Sequence, residues 1–112
     1  METLNLKKEF LKESNLYEKG MLNGNYKEVN KAHQRVHKIY EEIRKNNIYN
    51  FFETFLDNEN DYVKLNAATF SLKTSPEIAE KILEELIHTS SILATTAKMT
   101  LDLWHEGKLT LL

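Results

Sequence analysis

Two stretches, VKLNAATFSL at residues 63–72 and LATTAKMTLDLW at residues 93–104, decide how the chain is read. They repeat one small-residue pattern 30 residues apart, with Val63 matching Leu93 and Ala67 matching Ala97. A repeat of that period points to stacked helical hairpins, units that cannot bury their apolar faces alone. At about 100° per residue, Val63, Ala67 and Phe70 fall on one side of a helix over residues 61–73, with Leu65, Ala68 and Leu72 nearly opposite. Residues 90–106 repeat the arrangement, with Leu93, Ala97, Leu101 and Trp104 on one stripe and Ile92, Met99 and Leu103 on another. Both helices are therefore expected to be covered from two sides. Ala67, Ala68, Ala94 and Ala97 would let neighbouring axes approach to about 8 Å, the low end of the packing range.

Between these helices, Thr74-Ser75-Pro76-Glu77 is a start signal, with proline preorganised for the first turn and Glu77 in capping-box register with Thr74. The helix it opens carries Ile78, Ala79, Ile82, Leu83, Leu86 and Ile87 on one stripe, and Glu77, Glu80, Lys81 and Glu84 toward water. Upstream, a short helix over residues 48–56 places Phe51, Phe52 and Phe55 together, and Asp57-Asn58-Glu59-Asn60-Asp61 breaks it. Leu6, Phe10, Tyr17 and Met21 mark a first helix stopped by Asn23-Gly24-Asn25. Tyr26, Val29, His33, Val36, Tyr40 and Ile43 mark a second, ended by Lys45-Asn46-Asn47. From the third helix onward the order is one-sided, two-sided, one-sided, two-sided, as stacked antiparallel hairpins require. The prediction is an all-α chain of about six helices in one domain spanning residues 1–112, with Phe70, Leu86 and Trp104 in the core.

The segments Asn60-Asp61-Tyr62-Val63-Lys64-Leu65-Asn66-Ala67-Ala68 and Ser75-Pro76-Glu77-Ile78-Ala79 resemble a HEAT-like repeat. The likeness extends through residues 30–42 and the ending Ala97-Lys98-Met99-Thr100-Leu101 with Glu106-Gly107, nearly the whole chain. Taken together they look like a small bacterial family of single-domain HEAT-like proteins of uncharacterised function. The resemblance implies an α-α superhelix of about three stacked antiparallel hairpins and an immunity-type role, the neutralising of a toxin. It implies no catalytic residue, because the matching positions are packing positions.

Composition narrows the classes of function. A chain of 112 residues suits one domain able to bury roughly two thirds of its unfolded surface. It holds no cysteine, which excludes disulfides, thiolate metal sites and cysteine nucleophiles and fits a cytoplasmic location. No stretch is apolar enough for a signal peptide or a membrane span. A formal net charge of −2 opposes general affinity for nucleic acid or an anionic membrane.

Reactive constellations are sparse. His33 and His37 stand four apart with Gln34 between them, and glutamine cannot act as a general base. With Glu41 they could share one helix face as metal ligands, although His33 lies on the apolar stripe and reads as a hydrogen-bonded core residue. His88 and His105 fall near helix ends, where an imidazolium suits the dipole. Glu41-Glu42 and Glu84-Glu85 are adjacent on helices and diverge too far to share a proton. No phosphate-cradling glycine loop or nucleophile elbow is present, and Gly20, Gly24 and Gly107 read as helix-end residues. The expectation is a protein without catalysis, metal or cofactor.

Charge carries more information. The third and fifth helices hold Glu53, Asp57, Glu77, Glu80, Glu84 and Glu85 against Lys81 alone, an acidic face suited to a basic protein such as a nuclease toxin. The second helix sets Lys27, Lys31, Arg35 and Lys38 along one face, an alternative strip for phosphate contacts with nucleic acid. Tyr49 and Tyr62 are candidate aromatic anchors for either interface.

Overall fold

A computed structural model describes residues 3–89 and 91–110. Among the described residues there are five α-helices and no strand: α1 (Thr3–Asn23), α2 (Tyr26–Lys45), α3 (Asp61–Ser71), α4 (Pro76–Ile87) and α5 (Leu93–His105), with a single 3-10 turn at Phe52–Phe55. They form two units, residues 1–51 and 52–111.

In the first unit α1 and α2 make a helical hairpin. Gly24 takes a positive φ of 67° that ends α1, and Asn25 caps α2 by accepting the Glu28 backbone N–H at 3.2 Å. The buried stripes are Leu6, Phe10, Tyr17 and Met21 on α1, and Val29, Ala32, Val36, Ile39, Tyr40 and Ile43 on α2. Phe51 closes the unit, its ring edge meeting Phe10 at a centroid distance of 6.1 Å. Gly20 lies in the last turn of α1, its carbonyl accepting from the Asn25 amide at 2.8 Å, and a Cβ there would stand 2.7 Å from Val29 Cγ2, so this helix end is also a close helix crossing. One sequence expectation is corrected here. His33 is exposed; the buried stripe passes through Ala32, one residue and about 100° away.

The second unit is built around α3. Every residue of α3 is buried or half-buried, and it packs on the 3-10 turn, on α4 and, more lightly, on α5. Both of its predicted stripes are inside, with Val63, Leu65, Ala67, Ala68, Phe70 and the following Leu72 all buried. Two of its hydroxyls bond within the helix: Thr69 Oγ1 donates to the Leu65 carbonyl at 2.8 Å and Ser71 Oγ to the Ala67 carbonyl at 2.7 Å. Asn60 caps the start by accepting from the Tyr62 and Val63 amides. The Phe52 ring stacks on Phe70 at 5.5 Å.

Three expectations in this unit change. The helix predicted over 48–56 reduces to the 3-10 turn, because Asn47 (φ 53°) and Asn50 (φ 60°) take left-handed conformations that interrupt helical winding. Phe51, Phe52, Phe55 and Leu56 are nonetheless each buried. The α5 helix is buried on one side only, through Leu93, Ala97, Thr100 and Leu101, because its neighbours α4 and α3 cover that side. Ile92 and Met99 are exposed, Met99 by 56%, and Leu103 and Trp104 are half-buried, so Trp104 is a margin residue while Phe70 and Leu86 are core. Thr74 does not cap α4. Ser75 holds the N-cap position without a side-chain cap bond, and both hydroxyls turn to Glu53.

Candidate binding surfaces

The sequence-predicted acidic residues all belong to the second unit and divide into two groups. Glu77 and Glu84 are exposed on α4, with Glu85, Lys81 and Ile78 beside them, and Asp57 is exposed after the 3-10 turn. Among the described residues no ion pair reaches Glu77, Glu84 or Glu85. Ile78 leaves 48% of its surface to solvent and lines a depression of about 350 Å³ with Ser75, Pro76 and Glu77. An exposed β-branched apolar side chain among carboxylates is an arrangement suited to a contact with basic and apolar groups on one partner.

Glu53 and Glu80 are committed to internal links. Glu53 Oε2 accepts from Thr74 Oγ1 and Ser75 Oγ, each at 2.8 Å, which ties the 3-10 turn to the start of α4. Both are charge-assisted bonds. Glu53→Ala is therefore expected to lower stability by about 1 to 2 kcal/mol, and Glu53→Gln by less, in thermal or denaturant unfolding. Equal stability of all three proteins would mean that the link contributes nothing. Glu80 Oε1 lies 2.6 Å from His105 Nε2 at the last turn of α5, joining α4 to α5. Neither link was legible in the sequence, because the partners are 21 to 25 residues apart and no local pattern connects them.

The basic residues Lys27, Lys31, Arg35 and Lys38 are all exposed on α2 in the first unit. Arg35 is the exception in chemistry: its Nη1 lies 3.3 Å from Oε1 of Glu13, a carboxylate on α1 whose residue is only 3% exposed. A row of four cations is thus a row of three with one neutralised. Sequence reasoning missed Glu13, whose position beside the apolar Phe10 and Tyr17 stripe was the available signal.

His37 Nδ1 meets Glu41 at 3.3 Å on the surface of α2, and among the described residues no group of three histidine or carboxylate side chains converges on a common point. The His33 imidazole has its pKa lowered, first by partial desolvation of the ring and second by the neighbouring His37 charge. Tyr49 is exposed and Tyr62 is buried, so of these two Tyr49 alone is placed to meet a partner. Among the described residues, no helix is long and apolar enough to cross a membrane.

The fold has a counterpart among solved structures. The chain is similar to the crystal structure of the protein RPA1889 from Rhodopseudomonas palustris CGA009, with a TM-score of 0.82 and 24% identity over 98% of this chain and 93% of that one. At this identity the likeness is one of fold. No family model and no curated protein matches the chain.

Proposed function

We propose that the protein acts by binding another protein without chemistry, as an immunity protein that neutralises a cognate basic toxin such as a nuclease. The observation that carries this reading is the outward face of α4, where Glu77, Glu84 and Glu85 stand exposed around Ile78 without an ion-pair partner among the described residues. Complementary charge accelerates encounter with a basic protein, and Ile78 supplies apolar area that desolvates on contact. Asp57 is a further exposed carboxylate of the same unit, while Glu53 and Glu80 hold the turn and α5 that position α4.

The reading includes the architecture. The 30-residue repeat, the α3 helix apolar on two sides and the packing of α4 on both α3 and α5 support a short HEAT-like α-α superhelix. In such stacks binding surfaces arise from the repeats side by side and not from a single reactive pocket.

The test is to mix the protein with its cognate toxin and compare Glu77→Lys/Glu84→Lys. The account expects protection to fall at least tenfold at low salt with the fold unchanged, because reversing two exposed charges acts on association. Undiminished protection would remove α4 from the interface. The alternative, nucleic-acid binding along Lys27, Lys31, Arg35 and Lys38, predicts a gel shift at low salt that weakens steeply as salt rises. The Glu13 partnership of Arg35 works against it.

A further inference from the structure

We propose that the groove between α1 and α2 binds a small zwitterion with an aliphatic side chain, of the α-amino acid class. The groove is lined wholly by residues of the first unit and has a volume of about 500 Å³. That is within the usual range for small-molecule sites. Leu6 and Ile39 give it an apolar floor, and its rim carries cations and carboxylates in equal number.

The chemistry turns on Glu13. Its side chain is 4% exposed, and among the described residues its carboxylate has one partner, the 3.3 Å contact with Arg35. A carboxylate accepts about four hydrogen bonds, so one contact with Arg35 leaves Glu13 further acceptor capacity where it lines the groove. An ammonium group entering the groove would fill the open acceptor sites of Glu13. Arg35, whose side chain is 47% exposed, keeps donors for a ligand carboxylate, and Lys38 stands one turn along α2 to share it. The aliphatic part would then lie on Leu6 and Ile39. The balanced rim selects against single ions, since a lone anion meets Glu9 and Glu13 and a lone cation meets Arg35 and Lys38.

The probe is L-leucine, titrated into the full chain and followed by amide chemical shifts. Leucinamide, which lacks the carboxylate, and 4-methylpentanoate, which lacks the ammonium, serve as comparisons. Saturable binding of leucine is expected, with shifts confined to the groove, and both analogues should bind at least tenfold more weakly. Glu13→Gln should weaken leucine at least tenfold. Should that variant fail to fold, Lys38→Gln at an exposed position should weaken leucine and leave leucinamide unaffected. The proposal is overturned by analogues binding as well as leucine, by shifts outside the groove, or by no saturation at tens of millimolar, where even a weak site would fill.

Discussion

Thermal unfolding of Ala67→Leu is expected roughly 4 to 12 °C below that of the parent protein, from a loss of about 1 to 3 kcal/mol. Ala67 is 0% exposed and sits mid-helix in α3, a helix without a single exposed residue. Its neighbour Ala68 is equally buried on a face turned by about 100°. Three extra carbons therefore have no direction in which to escape, and an interior at native density accommodates them only by moving a helix or forcing a poor rotamer. Met99→Leu is the control. That side chain is 56% exposed on α5, so its replacement should change stability by less than about 0.5 kcal/mol. Equal stability of Ala67→Leu and Met99→Leu would refute the close packing of α3.

Gly20→Ala sets two effects against each other. Alanine in place of a helical glycine gains up to about 1 kcal/mol in propensity. Against this, the new Cβ would lie 2.7 Å from Val29 Cγ2, 3.0 Å from the Val29 amide nitrogen and 3.1 Å from the Asn25 carbonyl oxygen. The side chain at 2.7 Å is β-branched and has little rotameric freedom in a helix, and the other two atoms are backbone. Overpacking of that kind costs about 1 to 3 kcal/mol, so the clash should win and leave a net loss of about 1 to 2 kcal/mol. A double-mutant cycle with Val29→Ala separates the terms. Removing Cγ2 should recover part of the loss, with a coupling of about 0.5 kcal/mol or more. A Gly20→Ala protein more stable than its parent would mean that the hairpin yields at this crossing.

The helices were legible where apolar spacing, caps and stop signals agreed. Gly24 and Asn25 mark a boundary that the structure keeps, and the two stripes of α3 are both buried. Apolar spacing alone misled on α5, since Ile92 and Met99 carry the right side chains but receive no cover from α3 or α4. A sequence states what a face would prefer, not what lies opposite. The segment at 48–56 failed for a different reason: Asn47 and Asn50 tolerate left-handed backbone, and such tolerance leaves only a weak trace in composition. Among the site residues, exposure of Glu77 and Glu84 followed from helical phase. The long-range links of Glu53, Glu80 and Glu13 depend on tertiary placement that no local pattern encodes.

The most direct test of protein binding through α4 is affinity capture from the source cell's lysate, run in parallel with the parent protein and Glu77→Lys/Glu84→Lys, with and without nuclease. The account predicts one basic protein retained by the parent, insensitive to nuclease and lost from the double variant. Equal retention by both proteins, or nucleic acid in the eluate that disappears with nuclease, would contradict it.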